Sequence, residues 1–144
     1  MIDGKPLGWR EWIGFPGLNI HKIKAKIDTG ARTSALHAFM IEPFSRDSKP
    51  WVRFAIHPIQ GDTDTVVECE APVKDQRIVR DSHGHDELRY VIDAHIAIGD
   101  DLIHCEVTLT DRDTMMFRVL LGRTALRTRY VIYPGKSYMQ GKLS

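Results

Sequence analysis

The chain has 144 residues, room for one domain whose folding hides roughly two-thirds of the unfolded surface, so a core is within reach without a disulfide framework. Its 20 Lys and Arg against 19 Asp and Glu nearly cancel, which excludes a strong whole-chain pull toward nucleic acid or anionic lipid and leaves partner choice to a local site. Cys69 and Cys105 form no CxxC pair, no signal-peptide pattern opens the chain and no apolar stretch approaches the length of a membrane span, so a cytoplasmic protein with neither membrane nor nucleic-acid partner is expected.

Residues 1 to 21, which include "GWREWIGFPGLNI", mix aromatic side chains with Gly and Pro and read as an irregular N-terminal arm that Trp9 and Trp12 pack onto the rest of the domain or onto a second subunit. "KIKAKI", residues 22 to 27, then alternates: Ile23, Ala25 and Ile27 lie on one face and three lysines on the other, the period of a half-buried strand that Asp28 closes. "EPFSRDSKP", residues 42 to 50, is rich in breakers and charges and reads as a surface loop. "WVRFAIH" and "TDTVVECEA" form an expected hairpin across the turn "PIQGD". A strand "QRIVR" leads through "DSHGHDE" into a long strand whose apolar positions run from Leu88 to Ile98, and "GDD" turns it back into "LIHCEVTLT". "FRVLLG" is continuously apolar, as expected of a strand buried on both faces, with Met115, Met116 and Phe117 read as packing beside it. "RTALRTR" allows one or two helical turns, and "YVIY" is the last strand. The spacing predicts a mostly β single domain over residues 1 to 144, a barrel or sandwich.

The chemistry concentrates at "AKIDTGARTSAL", residues 25 to 36. Asp-Thr-Gly after an apolar strand has two readings: an ordinary Asx-turn, or a loop that holds Asp28 at its tip, with Gly30 making room for a substrate or second chain and Thr29 bonding across to a neighbouring copy. Two such carboxylates brought together share a proton, one acting as acid and the other activating water. A faint internal echo, an apolar strand, a glycine and "ARTSAL" at residues 31 to 36 against an apolar strand, a glycine and "RTAL" at 123 to 126, is what two similar strand-turn units packed about a local two-fold axis would give.

Taken together, "GWREW", "IKAKIDTGARTSALHA", "ELRYVI" and "LLGRTAL" resemble the retropepsin-like aspartic peptidases, and among them a bacterial family often labelled ATP-dependent zinc proteases. The resemblance runs from Trp9 to about Tyr133. It implies a closed acid-protease barrel with one short helix near the C-terminus, and a homodimer in which Asp28, Thr29 and Gly30 supply the catalytic loop. It further implies a flap hairpin at about residues 76 to 92 over a peptide substrate. Ala31, Arg32 and the hairpin tip with His83, Gly84 and His85 would then meet that substrate, while Gly122 and Arg123 brace the aspartate loop.

The chain departs from the viral pattern at Arg32, where an acid partner for Arg123 is expected. Two cations therefore need neutralising by an acid such as Glu70, Glu87 or Asp111, or else Arg32 binds a carboxylate of an acidic or C-terminal peptide. No HExxH occurs, so His83 and His85, even joined by His37, His57 or Asp86, do not amount to a zinc site, and "PGKS" has Tyr130 where a phosphate loop needs glycine. No metal and no cofactor is expected. Any ATP dependence is assigned to a partner, because some relatives resemble accessories of ATP-grasp ligases that add amino acids to peptides. Three functions follow in order: an aspartic endopeptidase with a dimeric Asp dyad, a non-catalytic peptide-binding accessory of such a ligase, and a zinc-dependent hydrolase.

Overall fold

The computed structural model describes residues 4–80, 83–111, 117–126 and 129–141. Its twelve strands are β1 (Lys5–Leu7), β2 (Arg10–Phe15), β3 (Ile20–Asp28), β4 (Ser34–Ala38), β5 (Met40–Arg46), β6 (Lys49–Ile56), β7 (Val67–Pro72), β8 (Asp75–Arg80), β9 (Asp86–Ile98), β10 (Asp101–Asp111), β11 (Val119–Gly122) and β12 (Tyr130–Ile132). One short helix, α1 (Arg123–Leu126), follows β11, and a single 3-10 turn, Pro16–Leu18, follows β2.

Six strands close on themselves in the order β10, β4, β11, β3, β2, β9 and back to β10, which makes the domain a barrel, with β8 added outside β9. Closure removes the open edges that a flat sheet would expose. Strand β9 is long enough to serve two neighbours: Asp86 to Val91 pair with β8, and Val91 to Ile98 pair with β10. Strand β11 is inserted between β3, which it pairs in parallel, and β4, which it pairs antiparallel. That position explains its unbroken apolar run, since Val119 and Leu121 are fully buried. A second sheet, β5–β6–β7, lays Val52, Phe54, Ile56, Cys69 and Ala71 into the same apolar cluster as Ile92, Ile96 and Val107 of the barrel. Burial of each large side chain of that cluster contributes about 1.5–3 kcal/mol.

Two expectations need correction. Residues 42 to 50 are not a loop: β5 and β6 pair in full register from Met40↔Ala55 to Arg46↔Lys49, turning through Asp47 and Ser48 at φ 53° and 62°. Two adjacent left-handed residues make the tight turn that suits strand twist, and Asp tolerates that conformation. Nor are residues 1 to 21 an irregular arm. Residues 10 to 15 form β2, a barrel strand that pairs with β3 from Arg10↔Lys26 to Phe15↔Ile20 and touches β9 at Gly14↔Ala97. A register shift between Ile13 and Phe15 interrupts the pairing where the sequence shows glycine.

The first and last strands join beside this one. Strand β1 pairs in parallel with β12, and the turn after β12 docks on β2 through Trp9 N–H to Lys136 O (2.8 Å) and Tyr138 N–H to Arg10 O (2.9 Å). Glu11, fully buried, locks this junction: its carboxylate accepts the backbone amides of Gly8 (2.7 Å), Met139 (2.9 Å) and Gln140 (3.0 Å). A buried charge is tolerable only with such donors around it.

Candidate functional site

Asp28 ends β3 and stands in register with Gly122, the end of β11. The strand is held there from the far side, because Ile27 N–H donates to Trp9 O at 2.8 Å. Past Asp28 the chain turns at once: Gly30 N–H donates to Asp28 Oδ1 at 3.1 Å and Ala31 N–H to Asp28 O at 3.2 Å. The Asx-turn expected of this sequence is thus present. One oxygen of Asp28 fixes the loop, and the second has no hydrogen-bond partner among the described residues. Asp28 is half-buried, while Thr29 and Gly30 are exposed. Gly30 does not adopt a left-handed φ; a Cβ at that position would come within 3.3 Å of Asp28 Oδ1. Its service is space beside the carboxylate.

The loop is braced from behind. Arg123 N–H donates to Ala31 O at 2.8 Å, Thr124 donates to Arg32 O from both its amide (3.2 Å) and its hydroxyl (2.7 Å), and Arg123 Nη1 reaches Gly30 O at 3.5 Å. Gly122 N–H donates to Ser34 Oγ at 3.0 Å, and a Cβ on Gly122 would lie 2.7 Å from the Thr33 backbone. Only glycine lets β11 pass this close to the start of β4.

Arg32 is exposed and lines an open cavity of 440 Å³ with Thr33, Arg77, His104, Glu106 and Thr124. The acid in this neighbourhood is Glu106. Lys74 at 3.0 Å, and then Arg77 at 3.0 Å, hold its carboxyl below the usual carboxylate range. Glu70 and Glu87 are occupied elsewhere, with Arg46 at 2.9 Å and Arg89 at 3.3 Å.

A hairpin of β8 and β9 occupies residues 75 to 98, closed near its tip by Arg80 and Asp86 at 3.0 Å. His83, Gly84 and His85 are exposed at that tip, Gly84 at φ +82°, while Asp81 and Ser82 lie outside the described residues, as do Met115 and Met116. Lower on the hairpin, Ile78 faces Leu88, and both are solvated, at 72% and 54% exposure. Among the described residues no group of three or more His, Cys, Asp or Glu is placed to hold a metal ion. His37 and His57 are buried, the latter stacked on Phe39. Burial pushes the thiols of Cys69 and Cys105 up to about 11, so neither is a thiolate at neutral pH. The "PGKS" segment is the docked turn itself, with Arg10 Nε donating to Ser137 Oγ at 3.2 Å.

The model of the RimB-like family, described as "Retropepsin-like aspartic endopeptidase RimB", matches residues 6–143. The chain belongs to the RimB-like family. Curated relatives named "Probable alpha-L-glutamate ligase" match it as well: 43% identity over 143 residues in Shewanella pealeana, 44% over 143 in Desulfotalea psychrophila and 45% over 137 in Parasynechococcus marenigrum. The chain spans about a third of the length of these relatives, 31%, 31% and 29% respectively, while 99%, 99% and 95% of this chain is covered. Among solved structures, a Legionella pneumophila protein of unknown function (DUF785) superposes with a TM-score of 0.77 at 23% identity, covering 94% of this chain and 98% of the other. That likeness bears on the fold alone. No helix among the described residues is long and apolar enough to cross a membrane.

Within this RimB-like domain, sequence reasoning overlooked Glu11, Arg77 and Glu106. Glu11 left a readable signal: it shares a strand face with Ile13 and Phe15, both fully buried, so its charge had to be satisfied inside. Glu106 left none, because only the parallel pairing of β10 with β4 brings residue 106 beside the loop at residue 32.

Proposed function

We propose that this domain is an aspartic endopeptidase that works as a homodimer, with Asp28 of each copy forming a proton-sharing pair. The observation that carries this reading is the state of Asp28: a half-buried carboxylate with one oxygen tied to its own loop and the other open, on a loop braced by Gly122 and Arg123. Two such groups meeting across an axis cannot both ionise easily. The ionised member takes a proton from water, the water oxygen attacks the scissile carbonyl, and the neutral member hydrogen-bonds the carbonyl oxygen; the proton then passes to the departing amine. The hairpin of β8 and β9 covers an extended peptide, adding strand-like hydrogen bonds.

Membership of the RimB-like family supports the reaction class. The relatives' name, an α-L-glutamate ligase, together with Arg32 on the cavity beside the loop, supports a peptide carrying α-linked glutamyl residues as substrate. The test is digestion of glutamate-rich peptides followed by mass spectrometry. Asp28→Asn is expected to leave no cleavage while its unfolding temperature stays that of the parent; a fully active Asp28→Asn protein overturns the proposal.

A second reading is favoured by one observation, that the matching relatives carry this segment within a chain named as a ligase. In it the domain binds the peptide for an ATP-grasp ligase without cutting it. Retention of intact peptide by both the parent and Asp28→Asn proteins, with no fragments at any pH from about 4 to 8, selects this reading.

A further inference from the structure

On the outer face of β2 and β3 the side chains form a strip that none of the foregoing uses, running along β3 from Lys22 through Lys24 to Lys26, two residues before Asp28 on the same face. Strand pairing sets Arg10 opposite Lys26 and Trp12 opposite Lys24, with Lys22 next along β3. Like charges side by side on a sheet are unfavourable unless something neutralises them. Among the described residues no carboxylate pairs with Arg10, Lys22, Lys24 or Lys26; Lys24 donates instead to Gln60 Oε1 at 2.9 Å.

At the upper end of this strip lies a groove of 390 Å³ lined by Trp12, Lys22, Lys24, Pro58, Ile59 and Gln60. Its walls are the indole, the proline and Ile59, which is 49% exposed. The groove thus has an apolar floor of about one large side chain and a cationic rim.

We propose that this strip docks an acidic linear segment of a partner protein, with one large aliphatic side chain of that segment seated between Trp12 and Ile59 and its flanking carboxylates on Lys22 and Lys24. Charge complementarity identifies the occupant, since four cations lie on the strip with no acid paired to them. A nucleic acid fits less well. Trp12 already stacks on Tyr138, centroids 5.5 Å apart, and carries the Lys22 ammonium 4.1 Å from its ring centre, so a base would compete with groups already seated on the indole. The groove shares no lining residue with the cavity at Arg32, so the inference goes beyond the peptidase reading and stands whether or not the domain cuts peptides.

The test uses protein carrying Asp28→Asn with Arg32→Ala, which removes turnover and the substrate-site cation from the measurement, and a fluorescein-labelled peptide with the sequence Glu-Glu-Asp-Leu-Glu-Glu. Titration is expected to raise the anisotropy of the label and shift the Trp fluorescence, with affinity falling as salt rises from about 0.05 to 0.5 M. Lys22→Glu with Lys24→Glu is expected to weaken binding at least about tenfold, and Ile59→Ala or replacement of the peptide leucine by Gly about three- to tenfold. If the charge-reversed protein unfolds at a lower temperature, Lys22→Gln with Lys24→Gln supplies the same ordering. Equal binding with and without the lysine substitutions, or an uncharged Gln-substituted peptide bound equally well, overturns the proposal. So does a poly-uridine oligonucleotide that displaces the peptide and binds tighter than it.

Discussion

Gly122 shows how much of the site rests on a single missing carbon. With a Cβ only 2.7 Å from the Thr33 backbone, Gly122→Ala has to push β11 away from β4. The displaced strand carries the Arg123 and Thr124 amides that hold Ala31 and Arg32, so the aspartate loop moves with it. A loss of about 1–3 kcal/mol in denaturant unfolding is expected, with a larger proportional loss of cleavage than of stability. Glu11 gives a second residue-level prediction. Glu11→Gln puts an amide where three backbone N–H groups need acceptors, replacing one of two accepting oxygens by a donor. A destabilisation of about 2–4 kcal/mol is expected from chemical denaturation. The sequence marks Asp28 clearly because its partners are local, Gly30 and Ala31, within three residues. The environment of Arg32 is illegible for the opposite reason: Glu106, Arg77 and His104 reach the cavity only through barrel closure.

At the scale of elements, alternation predicts those strands that have one wet and one dry face. Strand β3, the second half of β9 and the first half of β10 are of this kind, and the limits of the three strands fall close to the expected ones. Strand β5 is not: Met40–Arg46 is fully or partly solvated along its whole length, so it carries no period, and its proline and charges read as loop. Strand β2 hid behind Gly14, Pro16 and the aromatic residues that belong to packing against the C-terminal turn, as in the edge-on contact of Trp9 with Phe117 and the stack of Trp12 on Tyr138. The hairpin of β8 and β9 supplies the prediction that belongs here. Ile78 and Leu88 are paired and solvated, so Ile78→Asp is expected to change folding stability by no more than about 0.5 kcal/mol. If the hairpin closes over substrate, the same change raises KM several-fold while the unfolding curve stays in place; unaltered kinetics removes the hairpin from the mechanism.

For the whole molecule, two groups of side chains set opposite limits on pH. Hydrogen bonds and cations lower the pKa of Asp62, Asp75, Asp101 and Glu106 in the folded chain, so the stability they add is present above the usual carboxylate range and is lost as the solution becomes more acid than that. Cys69 and Cys105 shift the other way, from 9.0 to about 11, because burial disfavours the thiolate. The folded chain keeps those protons more tightly, so their contribution is whole below pH 9.0 and is lost as pH rises through about 11. A plateau in urea midpoint between about pH 5 and 9, falling on both sides, is the expected profile. Assembly gives the other whole-molecule prediction. If each active unit takes one Asp28 from each of two copies, mixing parent protein with an excess of Asp28→Asn after dissociation and reassociation suppresses cleavage below simple dilution, and activity per chain falls on dilution through the dissociation range.

The parallel pairing of β1 with β12 has a topological consequence. Lys5 lies opposite Tyr130, and the side-chain amide of Gln140 donates to Pro6 O at 2.7 Å, so residues 4 and 141 leave the barrel on the same side. A short flexible peptide would bridge them, and the chain would then tolerate being cut open at another surface turn, such as the one between Asp47 and Ser48. A circularly permuted protein that begins at Ser48 should therefore reach the same barrel.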